Sequence, residues 1–216
     1  MKYIAVLFIF LFQGLLQADP VTDAIDQARQ AYEAKDYVKS ADYLDQALRN
    51  IKMFISQEVE KLLPQSLEGW EKIESSSDVE GGKLFDLVSP RVFSVEVGFK
   101  KLEPPQQIKI SVSNVPHIVQ IAKAESEMLS NPFFAKIEEK NSSGQKMEVY
   151  QQGEFQGVKT VNVQYKEIEL TLFYGDMMVR LKGLGVEDSK TMDLWVRAIH
   201  FDDLKKFTKK EEPSKN

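Results

Sequence analysis

VKTVNVQYKEIELTLFYGDMMVRLKG, residues Val158–Gly183, alternates apolar and polar side chains through three successive segments. Val161, Val163 and Tyr165 share one face of the first. Ile168, Leu170, Leu172 and Tyr174 share a face of the second, and Met177, Val179 and Leu181 a face of the third. Period-two alternation marks half-buried strands, and its two breaks predict two-residue connections at Lys166-Glu167 and Gly175-Asp176. These set Tyr165 opposite Ile168 and Tyr174 opposite Met177. Both pairs fall on the apolar face, as two-residue hairpins require, because a slip of one residue would invert every side chain. Gly175 suits a turn that needs positive φ, whereas Lys-Glu is poor turn chemistry. The reading is an antiparallel meander, which sets the fold and carries no chemistry.

Outward from the meander, strand-like runs occur at Leu84–Ser89, Val92–Phe99, Gln107–Val112 and around Met147–Gln151. Trp70, behind a glycine, is placed as a plug at the core edge. A helix is predicted over Pro116–Leu129, capped by Asn114, with Ile118, Ile121 and Met128 facing inward. A last helix opens at Glu187-Asp188-Ser189 and lines up Met192, Trp195, Val196 and Ile199 on one side, with Phe201–Phe207 packing on it or extending it. Strands, helix, strands and terminal helix give an α+β class: an antiparallel β-sheet with two helices packed on one face, over residues 64–207. The tail, 208–216, is polar and expected to be disordered.

This order of elements resembles the PsbP-like group of lumenal and secreted domains, across Pro64–Phe207. LEGW (Leu67–Trp70) and LSNPFFA (Leu129–Ala135) also resemble segments of a group of exported bacterial proteins. Neither resemblance implies an activity, since a fold hosts many functions.

Residues 19–63 precede the sheet as a helical hairpin. Ala24, Ala28, Ala31 and Tyr32 recur at helical spacing with Ile25 on the inward side, Lys35-Asp36 breaks the pattern, and Tyr37 begins a second helix carrying Ala41, Leu44, Ala47, Leu48, Ile51, Phe54 and Ile55. AYEAKDYVKSADYLDQAL (Ala31–Leu48) resembles one tetratricopeptide repeat, with Lys35 where that family has its turn glycine and Ser40 where it has a small alanine. Stable arrays of such repeats need about three copies, so one copy implies a lone hairpin that docks on the remaining domain or on a partner.

Residues 1–18 set the expected compartment. Met1-Lys2, the apolar run Ile4–Phe12 and Ala18 before Asp19-Pro20 have the layout of a secretory signal peptide, and the run is short for a membrane span of about 20 residues. Membrane contact is expected only through this segment where it stays uncleaved. An exported chain without cysteine points to a bacterial periplasm or exterior.

Composition then narrows the chemistry. With 216 residues, 43% apolar, there is material for a real core, and a net charge of −5 with both signs interspersed gives no footprint for nucleic acid. No cysteine and two histidines, His117 and His200, remove thiol chemistry and histidine-rich metal sites. No G-x-S-x-G is present, and the paired acids Glu138-Glu139, Glu187-Asp188 and Asp202-Asp203 lack the oxygen-ligand spacing of a calcium loop. Gly183-Leu184-Gly185 precedes a helix that opens with acids, which would repel phosphate. No catalytic residue, cofactor or metal ligand is therefore assigned.

The expected role is a non-enzymatic binding protein whose partner is another envelope protein. The contact candidates are Tyr32, Tyr37 and Tyr43 on the hairpin, and Met128, Phe133 and Phe134 at the end of the Pro116 helix. The alternative is a carrier of small molecules or lipids, or a hydrolase, using a cavity between the sheet and that helix.

Overall fold

The computed structural model describes residues 19–76, 92–130 and 145–208. The expected signal segment, the strand at Leu84–Ser89, Phe133, Phe134 and the tail beyond Thr208 lie outside the described residues. The chain divides into two compact units, Met1–Ile51 and Lys52–Asn216. The division falls within the second helix and not at residues 63/64, because Val59 and Leu63 are buried in the core cluster of the second unit.

In the first unit, α1 (Pro20–Glu33) is capped by Asp19, whose Oδ1 accepts from the Val21 amide at 3.0 Å. Pro20 fits the first helical position because its missing N–H would have no intrahelical partner there. Lys35 takes φ +61° in the turn, where the repeat pattern has glycine. The second helix, α2 (Tyr37–Lys61), starts with Asp36 Oδ1 accepting from the Lys39 amide at 3.2 Å. The interior between the two helices is built from Ala24, Ala28, Ser40 and Ala47. The Ser40 hydroxyl donates to the Ala28 carbonyl at 2.9 Å, and the Asn50 amide donates to the Pro20 carbonyl at 3.1 Å.

In the second unit the described strands are β1 (Glu71–Ser76), β2 (Ser94–Lys101), β3 (Gln106–Ser113), β4 (Gln145–Gln152), β5 (Phe155–Asn162), β6 (Glu167–Tyr174) and β7 (Met177–Leu184). They form one antiparallel sheet in the order β1-β2-β3-β7-β6-β5-β4. The strand β1 has no counterpart in the sequence reading, since EKIESS lacks apolar alternation.

The β6–β7 hairpin has the expected register, with Tyr174 opposite Met177 and Gly175 at φ +56°. The β5–β6 hairpin differs. Val161, not Tyr165, stands opposite Ile168, and residues 163–166 form a four-residue loop. Asn162 Oδ1 accepts from the Tyr165 amide at 3.2 Å, and Lys166 takes φ +49°, so an asparagine-anchored turn replaces the unfavourable Lys-Glu pair. The slip is four residues, so the faces of the strands keep their assignment while Val163 and Tyr165 become exposed.

The sheet carries α3 (Pro116–Ser130) and α4 (Ser189–Arg197), and the two helices lie on opposite faces, which corrects the expected placement on one. Met177, Val179 and Leu181 pack with Met192, Trp195 and Val196 of α4 in the main core, together with Ile108, Ile110, Val97 and Phe99. Met178, one residue along β7 and so on the other face, packs with Val119 and Ala122 of α3 and with Phe173. Apart from this patch, the α3 face of the central strands is polar, with the ion pairs Glu96–Lys109, Glu169–Arg180 and Glu167–Lys182. The small apolar area explains why α3 buries Val119 and Ala122 and leaves Ile121 and Met128 exposed, against the expected inward set.

Trp195 is the centre of the main core, 4.4 Å from the Phe99 ring and 5.3 Å from Trp70 in an edge-to-face contact, so Trp70 does close the core. Asp188 caps α4 through the Lys190 amide, and a short helix α5 (Phe201–Leu204) with a following 3₁₀ turn buries Phe201 and Leu204.

Candidate functional site

The first unit places its large apolar side chains outside. Small residues line the interhelical seam, so the helices approach closely and leave no space there for leucine or tyrosine. On α2, Tyr37, Ala41, Leu44 and Leu48 recur at spacings of four, three and four. They make a stripe separate from the Ser40/Ala47 seam. All four are exposed, as are Ile25 and Tyr32 of α1. The Tyr32 and Tyr37 rings meet edge to face at 5.6 Å, which sets the two helices' exposed residues side by side on one surface.

Of the sequence candidates, Tyr32 and Tyr37 thus come together, Tyr43 is half-buried, and Met128 is exposed on α3. Ile25, expected on the inward side of α1, is exposed instead.

Among its described residues the second unit shows a cavity, a cleft and a buried ion pair. A cavity of about 360 Å³ opens at one end of the sheet, lined by Ile55, Phe93, Asn114, Asp176, Phe207 and Thr208 among others. The Phe93 and Phe207 rings lie 6.2 Å apart, and Asn114 Oδ1 accepts from the Phe93 amide at 2.7 Å. The expected cavity between sheet and helix is much smaller: the cleft under α3 holds about 60 Å³ and is lined mainly by polar groups, including Glu125, Thr160, Glu169 and Arg180. On the opposite face, the buried Lys159 ammonium pairs with Glu148 at 3.0 Å and lies 5.9 Å from the Tyr150 ring centre. The Tyr150 hydroxyl donates to Asp193 at 3.4 Å. Burial, and then the Asp193 carboxylate, pushes its pKa above the usual phenol value.

His117 and His200 are both exposed; the backbone amide of His200 donates to the Leu62 carbonyl at 3.0 Å. Among the described residues no group of three or more His, Asp or Glu could hold a metal ion, and no helix is long and apolar enough to cross a membrane. No family model, no curated protein and no solved structure matches the chain.

Proposed function

We propose that this chain is an exported, non-enzymatic interaction protein that docks a protein of its own compartment, the bacterial periplasm or exterior, through the open face of its helical hairpin. The observation that carries the reading is the inverted distribution of size in the first unit: alanine and serine inside, tyrosine, leucine and isoleucine outside. Contiguous exposed apolar surface of this kind marks interaction sites. The signal-like segment supports export, and a two-helix apolar face suits helix-in-groove or helix-on-helix recognition.

The test compares the full chain with its Leu44→Glu/Leu48→Glu variant as bait for cross-linked envelope extracts, with partners identified by mass spectrometry. A partner captured by the parent chain and lost with the variant supports the reading. Equal capture by both excludes the hairpin as the docking element.

The cavity at Phe93, Asn114 and Phe207 favours a second reading, carriage of a small amphiphile with an aromatic or acyl portion against the two rings. A thermal-shift screen with fatty acids and aromatic acids tests it. A shift that Phe207→Ala abolishes supports it, and no shift with any member sets it aside.

A further inference from the structure

We infer that the cavity at one end of the sheet is a site for a free α-amino acid with an apolar side chain, bound as its zwitterion. This rests on the reading of that cavity as a carrier site and names its ligand.

The apolar wall is fixed in place. Phe93 is buried, and its amide donates to Asn114 Oδ1 at 2.7 Å, which ties the start of β2 to the end of β3. The Phe207 ring meets Phe93 edge to face at 6.2 Å, and Ile55 of α2 joins the same lining. Two rings and an isoleucine suit a branched or aromatic side chain, whose burial is the main source of affinity in such a pocket.

The polar part of the lining carries both signs. Asp176, in the β6–β7 turn, and Lys206, in the 3₁₀ turn after α5, both line the cavity. Their neighbours repeat the balance. Lys123 of α3 donates to the Gly175 carbonyl at 2.8 Å, beside Asp176, and Asp203 pairs with Lys206 at 2.5 Å. Among the described residues two acids are thus set against two bases. A ligand with a single charge meets as much repulsion as attraction there, whereas one that carries an ammonium and a carboxylate side by side offers each lining charge its opposite. In a cavity this small both Asp176 and Lys206 fall within reach of one head group, and an α-amino acid joins such a head directly to an apolar side chain.

Size argues against the other common source of a zwitterionic head. About 360 Å³ lies at the lower end of the ~300–1,000 Å³ of small-molecule pockets, enough for one amino acid and far short of the two acyl chains of a membrane lipid.

The purified full chain is titrated calorimetrically at neutral pH with L-phenylalanine, with hydrocinnamate, the same molecule without its ammonium group, and with phenethylamine, the same molecule without its carboxylate. Lys206 is exposed and Asp176 half-buried, so each charge is screened by solvent. The inference expects L-phenylalanine to bind about threefold tighter than either analogue, the scale of one exposed ion pair. Asp176→Asn should erase its advantage over hydrocinnamate, and Lys206→Gln its advantage over phenethylamine. A merely structural role for either residue would weaken all three ligands alike.

Analogues that bind as tightly as L-phenylalanine, or an advantage that either substitution leaves intact, overturn the inference. If in that case hydrocinnamate or a fatty acid still binds and Phe207→Ala abolishes its binding, the carrier reading survives and only the ligand class is wrong. If none of these compounds binds, both fall.

Discussion

Replacing Gly157 by alanine tests the sheet geometry severely. Gly157 sits in β5 opposite Leu172 of β6. A β-carbon built on it would lie 1.8 Å from the Thr171 carbonyl oxygen, 2.8 Å from the Thr171 carbonyl carbon and 2.9 Å from the Leu172 Cα. All three obstacles are backbone, so no rotamer change relieves them. The strand β6 cannot retreat freely either, since its other edge is bonded to β7 through eight residue pairs from Glu167 to Tyr174.

Overpacking that side chains can absorb costs about 1–3 kcal/mol. Backbone displacement that also breaks one or two ladder hydrogen bonds adds about 1 kcal/mol for each. We therefore expect Gly157→Ala to lose about 3–4 kcal/mol, a large part of the stability of a typical domain. Gly153→Ala is the control. Gly153 has φ +59° but nothing within 4 Å of the added carbon, so only the left-handed backbone cost of about 1 kcal/mol applies. Urea unfolding followed by tryptophan fluorescence measures both, because the chain's two tryptophans, Trp70 and Trp195, stand together in the second unit. Equal midpoints for the two variants at an unchanged slope would refute the close approach of β5 and β6.

Two further outcomes follow from local geometry. Lys35 holds φ +61° without being glycine, so Lys35→Gly should steady the hairpin by about 0.5–1 kcal/mol, after allowing for the extra freedom of glycine in the unfolded chain. Amide exchange in α1 should slow by a few-fold, and faster exchange would contradict the turn. Tyr150 has a raised pKa, so the folded protein holds its proton more tightly than the unfolded chain does. Its contribution to stability is complete below the ordinary phenol value of about 10 and is lost as the pH rises through the higher folded value. Alkaline titration at 295 nm should show one late phenol that Tyr150→Phe removes and Asp193→Asn moves earlier; a late phenol that persists in Tyr150→Phe would refute the assignment.

How far the chain could be read without coordinates depended on how many constraints acted on each residue. In β6, β7 and α4 the alternation, the Gly175 turn and the Met192/Trp195/Val196/Ile199 stripe all agreed, and those elements stand where they were expected. The β5–β6 loop was misread because alternation continues through Val163 and Tyr165 although neither is buried; Asn162, whose side chain anchors the turn, was the cue. Helix α3 was assigned to the wrong face because its position depends on Met178 and Phe173, two apolar residues within an otherwise polar face, and no local pattern on α3 itself encodes that partner. The short strand β1 is paired through its backbone to β2, and its side chains give no alternation to detect.

Ile25, expected on the inward side of α1, is exposed for a different reason, and the reason bears on function. Both stripes of α2 are apolar, so periodicity alone ranks the leucines with the alanines. Size decides between them: a seam closed over Ala24, Ala28, Ser40 and Ala47, with a hydroxyl-to-carbonyl contact of 2.9 Å, has no space for Leu44 or Leu48. Nor does helix formation require leucine on the outer side, since lysine, glutamate and glutamine are about equally good helix formers and would leave the seam untouched. An open two-helix face that carries Leu44, Leu48, Tyr32 and Tyr37 in place of those residues therefore serves nothing inside its own unit. Under the docking reading proposed above, that composition is the one expected of a surface another molecule covers.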